Sequence, residues 1–443
     1  MRLFQKSDAF YLLFSFFALI TFGACLLSIP GVWREYLGKV SFTDAYFIAT
    51  SAVCNAGLGT LSLSDLTRPG QVIVMFLMQT GGLGIISFSS LAVLIPGNRF
   101  ALSRRTTIQG FYLDGVEYRP QAIIRNIIIF TALFETAGTI ALILLFRKAG
   151  VADAAFQGLF HGISAFCNTG LSLFPDQLRS FDHNPPVLLT ITLLVLFGGV
   201  GFIVLHEIAR LIRDRLRGKN RRLSWHSRVV LGMTCIIALG GTLFFFFTEH
   251  KRLYRSIDLR DEWLIAFFQT INPRSGGFDV IPQDRLSQPS KAFTCLLMLT
   301  GGAPGSIAGG IKLTTLFVAC AVIFRRPNAE GDIILFRRRL ARNTVYNAVV
   351  YILKALALLI LFIGVLSVIE GLQGKPFTLI GFEVFSAFGT VGLSLGITPD
   401  LSVPGKWVII AAMFAGRVGL IALAFPRNKP HPVSYPEGVL LLG

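Results

Sequence analysis

Four short stretches of this chain repeat one arrangement of residues, and the chemistry they offer is that of backbone oxygen. They run Thr50-Ser51-Ala52-Val53-Cys54-Asn55-Ala56-Gly57-Leu58, Ile163-Ser164-Ala165-Phe166-Cys167-Asn168-Thr169-Gly170-Leu171, Thr270-Ile271-Asn272-Pro273-Arg274-Ser275-Gly276-Gly277-Phe278 and Phe385-Ser386-Ala387-Phe388-Gly389-Thr390-Val391-Gly392-Leu393. Each places a glycine at the same point, followed by Leu or Phe, and these glycines are separated by 113, 107 and 115 residues. Glycine lets carbonyls point in directions that side chains forbid. Non-helical backbone at membrane depth survives only where it is buried in protein or lines a water-filled path. Four such loops about one axis would surround a dehydrated alkali cation with carbonyl dipoles. The candidate filter residues are Cys54, Asn55, Ala56 and Gly57; Cys167, Asn168, Thr169 and Gly170; Arg274, Ser275, Gly276 and Gly277; and Gly389, Thr390, Val391 and Gly392. The competing reading is four ordinary external turns after interfacial helices. A Ser-Ala-Phe stem shared by the second and fourth copies, with glycine in register in all four, favours the pore.

The elements that must hold these loops follow from the apolar pattern. A period of about 110 residues fits one unit of span, short helix, loop and span, and repetition at fixed spacing outranks any single motif. Each loop follows a moderately apolar segment of about a dozen residues: Phe42–Val53, Phe156–Phe166, Trp263–Ile271 and Phe377–Phe388. Crossing the hydrocarbon takes roughly 20 helical residues, so these segments are expected as re-entrant helices. Their C-terminal, negative ends would favour a cation. Longer runs give eight expected spans, near 9–30, 69–95, 120–146, 187–210, 228–248, 290–323, 345–369 and 403–426. The expected fold is an all-α polytopic membrane protein. Its four tandem helix–pore helix–filter loop–helix repeats, at 1–97, 98–222, 223–335 and 336–443, surround a central ion pore.

Composition agrees. The 443 residues are 53% hydrophobic and 15% charged, where soluble domains carry about 25% charge. Disorder is excluded by the hydrophobicity, and a secreted disulfide scaffold by the size and six scattered cysteines. The net charge of +17 does not imply nucleic acid, because the positives cluster between spans. Five Lys+Arg fall in 97–125, eight in 210–228 and six in 325–342, after the second, fourth and sixth spans. That places these loops, and both termini, in the cytoplasm.

With these residues in view, the chain resembles the ion-translocating subunit of bacterial Ktr/Trk potassium uptake systems, related to plant HKT transporters, and looks closer to the Ktr type. The strongest pieces are Ile163–Asp176, Asn272–Phe278 and Phe385–Leu393. They are joined by Gly309–Thr315, Gly416-Arg417-Val418-Gly419 and the tail Tyr435-Pro436-Glu437-Gly438. The resemblance implies K+ uptake across the bacterial plasma membrane through a gated pore. It also implies a homodimer and a cytoplasmic ring of nucleotide-binding regulatory subunits. ATP/ADP or NAD(H) would then sit only on that partner, with no cofactor in this chain, and activation by Na+ stays open. The first copy departs from the family, whose members often have Thr-Val-Thr-Gly where this chain has Cys54-Asn55-Ala56-Gly57. Selectivity over Na+ is therefore an open question, although glycine in all four copies leans toward K+. A sodium-selective relative of the same fold and a Na+-coupled secondary transporter remain alternatives.

Beneath the filter, Gly301, Gly302, Ala303, Pro304, Gly305, Ser306, Ile307, Ala308, Gly309 and Gly310 interrupt the sixth span with residues that hold no helix. One reading is a kink for close packing. The other, which the resemblance implies, is a movable gate loop. Arg417, a charge inside the last span, would bond the loop's carbonyls in a closed state or pair with a carboxylate; Lys312 poses the same question, or snorkels. Arg274 reads as a strut to loop carbonyls or to Glu383. Asp44, Asp176 and Glu383 are candidates for cation enrichment in an outer vestibule, with helix capping an equal role for Asp44. His161, His206 and Glu207 read as packing or interface residues. Gly81-Gly82-Leu83-Gly84 is a packing feature, not a phosphate cradle, and nothing points to catalysis.

Overall fold

The computed structural model describes residues 8–35, 40–94, 120–220, 222–250, 252, 258–326, 328, 332–336 and 338–419. Most of the basic stretch 97–125, the positions Lys6, Arg427 and Lys429, and the tail 435–438 lie outside the described residues.

Four helical units follow one another. The first holds α1 (Asp8–Leu27), α2 (Phe42–Cys54) and α3 (Arg68–Leu94). The second holds α4 (Pro120–Lys148), α5 (Ala154–Phe166), α6 (Pro185–Val200) and α7 (Phe202–Leu216). The third holds α8 (Trp225–Glu249), α9 (Leu259–Ile271), α10 (Gln288–Leu299) and α11 (Leu313–Phe324). The fourth holds α12 (Arg342–Gly371), α13 (Phe377–Gly389) and α14 (Val403–Phe414), which continues as a π-helical turn over Ala415–Gly419. A small antiparallel hairpin, β1 (Ile334–Leu335) with β2 (Arg338–Arg339), sits in the third basic stretch.

Serines set several helix starts. Ser41 accepts from the Asp44 N–H, Ser224 from Ser227, Ser287 from Ser290 and Ser402 from Gly405, each satisfying a first-turn donor. The cap of α2 is thus Ser41; Asp44 stands in the first turn instead.

The expected spans prove to be of two kinds. Among the described residues, α4 from Arg125, α8 and α12 are each long and apolar enough to cross alone. Others are broken. The run read as one span over 187–210 bends by 101° between α6 and α7. The break is at Gly201, whose φ of +90° an L side chain resists. The run 290–323 is interrupted between α10 and α11, where residues 300–312 are non-helical.

Packing pairs the units. One buried cluster joins α1, α2 and α3 to α12, α13 and α14, through residues such as Phe47, Leu77, Leu359 and Phe388. A second joins α4, α5 and α6 to α9, through Phe146, Phe166, Ile191 and Phe268. Large apolar side chains such as Phe17, Leu144, Ile236 and Ile360 point outward, which suits a lipid surface and not water.

Candidate functional site

Helices α2, α5, α9 and α13 each end at a loop built on local bonds. The Ala56 N–H donates to the Ser51 carbonyl (2.8 Å), Thr169 to Ser164 (2.9 Å), Gly277 to Asn272 (3.2 Å) and Val391 to Ser386 (2.9 Å). Gly57, Gly170, Gly277 and Gly392 follow or close these turns with φ of +72°, +74°, +73° and +104°. Cys54 and Gly389 are the last helical residues of α2 and α13, so they close the helices and do not open the loops.

The four glycines meet. A Cβ on Gly57 would stand 2.8 Å from the Gly392 Cα, and one on Gly170 would stand 2.5 Å from the Gly277 Cα. A Cβ on Gly57 would also strike the Thr169 carbonyl oxygen, and one on Gly277 the Val391 carbonyl oxygen. Each loop therefore abuts the next, in the order first, second, third, fourth, with carbonyl oxygens crowding the junctions. Side chains stitch the ring: Asn55 Nδ2 donates to the Cys167 carbonyl at 2.5 Å, and Ser275 Oγ to the Thr390 carbonyl at 3.0 Å.

Residues 301–310 lie directly against this ring. The Gly309 N–H donates to Ser275 Oγ at 3.3 Å, and a Cβ on Gly309 would strike the Thr390 side chain. Gly301, Gly302 and Ser306 bond within the stretch 301–313, and further bonds of the loop go to separate elements. Ala303 N–H donates to the Gly199 carbonyl (2.9 Å), Ile307 N–H to Gly198 (3.2 Å), and the Gly305 carbonyl accepts from Phe202 N–H (3.2 Å). Arg417, only 2% exposed, donates Nη1 to the Ile307 carbonyl and Nη2 to the Gly81 carbonyl, the latter at 3.3 Å. Lys312 Nζ donates to the Ala308 carbonyl at 2.6 Å, so it turns back onto the loop and does not reach for the interface. Ser306 Oγ is buried without a partner, and Pro304 stands beside Gly201.

Several single-residue expectations change. Arg274 is buried and makes no bond to Glu383; its Nε has no partner, and the side chain lines a small cavity with Gly199 and Gly302. Glu383 is fully buried and accepts from Ser394 Oγ (2.7 Å) and Thr398 Oγ1, so it braces the fourth loop from behind. Asp44 pairs with Lys406 Nζ at 2.6 Å. Burial would raise its pKa, but the bonds from Lys406 and Ser41 outweigh burial and hold it below the ordinary value. Asp176 accepts from Ser180. Each of these acids thus has a hydrogen-bond partner in the fold. His161 bonds the Gln157 carbonyl and Ser172, His206 bonds Asn126, and Glu207 accepts from Ser224 N–H, as packing roles require.

Two features escaped the sequence reading. Behind the second loop, Cys167 Sγ donates to Gln79 Oε1 (3.3 Å), and Gln79 Nε2 to Glu135 Oε2 (3.0 Å). Glu135 interrupts a long apolar run, and an acid at that depth is itself a signal. Secondly, Glu249 accepts from Ser287 N–H and Oγ, and Glu370 from Ser402 N–H and Oγ. The sequence marks these junctions: Thr67, Asn184, Ser287 and Ser402 each stand two residues before a proline, at corresponding points of the four units.

Broken spans, outward apolar faces and a ring of backbone carbonyls at the ends of four short helices define a helical membrane transport protein. The chain belongs to the TrkH family of cation transport proteins, whose description it matches over residues 37–435; that is a transporter family, not an enzyme family. It is 33% identical to the Ktr system potassium uptake protein B of Bacillus subtilis, over 97% of this chain and 95% of that one. It is 34% identical to the potassium/sodium uptake protein NtpJ of Enterococcus hirae, with the same coverage of each. Its fold is similar to the crystal structure of the potassium transporter TrkH from Vibrio parahaemolyticus. The TM-score is 0.73 at 18% identity, covering 95% of this chain and 85% of the other.

Proposed function

We propose that this chain carries K+ into the cell through a gated, channel-like pore, as the translocating subunit of a multi-subunit system in the bacterial plasma membrane. The four units, 1–97, 98–222, 223–335 and 336–443, would surround the pore as repeats, with both termini cytoplasmic. The observation that carries the reading is the closed ring of four loops at Gly57, Gly170, Gly277 and Gly392. Carbonyl dipoles in such a ring replace an ion's hydration shell, and the C-terminal ends of α2, α5, α9 and α13 add negative potential. Relatives named as potassium uptake proteins agree in substrate. That they belong to a system supports a separate regulatory subunit; a homodimer on a nucleotide-binding ring is the assembly the family resemblance implies.

Residues 301–310 would close this path. The loop crosses beneath the ring, and Arg417 fastens its Ile307 carbonyl, which also places a positive charge where a waiting cation would stand. Opening would draw the loop aside through α11, which begins just after Lys312.

A second reading, a weakly selective or Na+-conducting pore, is favoured by two observations. One is the Cys54-Asn55-Ala56 segment of the first loop, and the other is the relative named for potassium and sodium uptake. Tracer flux into vesicles holding the purified chain, under K+, Rb+, Na+ and Li+ gradients, decides between them. K+ and Rb+ well ahead of Na+ and Li+ supports the first; equal flux of all four supports the second; no flux of any, with or without the loop, rejects both.

A further inference from the structure

We propose that α7 is a docking helix for anionic lipid, lying in the inner interface of the membrane, and that this docking steadies the 301–310 loop. The second half rests on the gated-pore reading above.

The first observation is the bend. Helix α6 covers about 24 Å at 1.5 Å per residue, most of the hydrocarbon thickness, before Gly201 turns the chain by 101°. Helix α7, about 22 Å long by the same rise, therefore runs roughly along the membrane plane and not out of it. It is a helix laid in the interface where a span was expected.

The second observation is the pattern on α7. Near the bend, Phe202 and Leu205 are buried against neighbouring helices. The same face continues at three- and four-residue steps through Ala209, Ile212 and Leu216, where nothing among the described residues covers it. Ile212 is 55% exposed and Leu216 84%. Arg213 and Arg217 flank this stripe on one side and Arg215 on the other, all three exposed. A face that is apolar in the middle and guanidinium at both edges fits the headgroup boundary, where the stripe meets acyl chains and arginines meet phosphate. The orientation that puts this basic stretch inside places α7 at the leaflet that is richer in negative charge. Because the stripe begins against the helices of the membrane-embedded body, its uncovered end faces the next layer outward at that depth, which is lipid.

The third observation ties α7 to the loop. The Gly198, Gly199 and Phe202 backbone at the bend holds Ile307, Ala303 and Gly305 by one hydrogen bond each. Fixing α7 on the membrane fixes this anchor. Releasing α7 frees the bend to move, and the loop with it.

The test uses the full chain carrying Leu216→Trp, in vesicles of phosphatidylcholine with a minority of phosphatidylglycerol, either lipid being brominated in turn. Quenching of the added tryptophan is read after subtracting the four native ones, measured on the unsubstituted chain. The expected result is stronger quenching by brominated phosphatidylglycerol than by brominated phosphatidylcholine at equal content. Replacing Arg213, Arg215 and Arg217 with Gln removes that preference, each arginine being worth about fivefold in affinity for a charged surface. Equal quenching by the two lipids, or by neither because a second copy or a regulatory subunit covers the helix, overturns the docking. Rubidium uptake without the regulatory partner is read on the same vesicles. The neutralised chain should leak several-fold more than the unsubstituted chain when phosphatidylglycerol is present, and equally when it is absent. Lipid preference with no difference in leak overturns the link to the loop. No uptake by any variant, the loop deletion included, rejects the pore reading and the link with it and leaves the quenching result standing.

Discussion

Two non-helical regions meet at Ser275, and they are held in opposite ways. In the ring of Gly57, Gly170, Gly277 and Gly392, the backbone of each loop closes on the last turn of its own short helix, and bonds from Asn55 and Ser275 join neighbouring loops. The loop 301–310 bonds to its flanking residues Ile311, Lys312 and Leu313 and is also fastened by distant elements: the α6–α7 bend, Arg417 after α14, and Ser275. A region that closes on itself keeps its shape when neighbours shift. A region fastened by neighbours moves when they do. On the proposed reading, the difference separates a fixed selectivity element from a removable obstruction, and each variant below tests one side of it.

The largest effect is expected inside the ring. Gly277→Ala puts a Cβ where φ is +73° and the Gly170 Cα is 2.9 Å away. That Cα and the Val391 carbonyl oxygen, which the Cβ would also strike, are both backbone, so neither yields. Strain of this kind costs roughly 1–3 kcal/mol, and at four-loop contact it should reduce K+ flux at least about tenfold while the chain still folds. Unchanged flux and unchanged K+ preference would remove Gly277 from the path.

Next comes the frame. Lys406→Met breaks the pair that clamps α2 to α14, with side chains 13% and 15% exposed; losing one partner of such a pair costs roughly 3 kcal/mol. The folded Asp44 pKa is lowered, so this stabilisation is present above the ordinary value of 3.8 and fades as pH falls through the folded value. Thermal melts should show a large penalty at neutral pH and a small one in acid. A penalty independent of pH would mean that packing, not charge, holds the frame.

The loop side is weaker by design. Arg417→Ala removes a charged donor from the Ile307 carbonyl, an interaction worth about 1.5 kcal/mol. Partner-free leak should rise by about tenfold, with the preference for K+ over Na+ retained. A fall in preference would show that Arg417 supports the ring. The smallest effect is expected from Ser275→Ala, which deletes the bonds to Thr390 and Gly309. About 1 kcal/mol for the pair predicts a severalfold change in both leak and preference, because this hydroxyl bonds to both regions.

The ring was legible in the sequence because glycine at positive φ leaves a residue-level mark that recurs. The broken tenth and eleventh helices were legible because Gly301–Gly310 holds no helix. The α6–α7 bend was not: Gly201 is one of several glycines in an apolar run, and its positive φ and its contact with Pro304 and Gly305 distinguish it only in the folded chain. Nor were the partners of charged groups. Arg274 and Glu383 both lie near the ring, and opposite charge at similar depth predicts a pair. Yet Ser394 and Thr398 sit closer in sequence to Glu383 and satisfy it first. Local hydroxyls won over a distant guanidinium, and no count of charges along the chain reveals that competition.

The most direct measurement is Rb+ and Na+ uptake by reconstituted chain lacking residues 303–308, without any regulatory subunit, beside the intact chain. If the ring selects and the loop only obstructs, the deletion takes up Rb+ much faster than the intact chain and keeps its preference for Rb+ over Na+. A folded deletion that conducts no better than the intact chain, or that conducts Na+ equally well, contradicts the account.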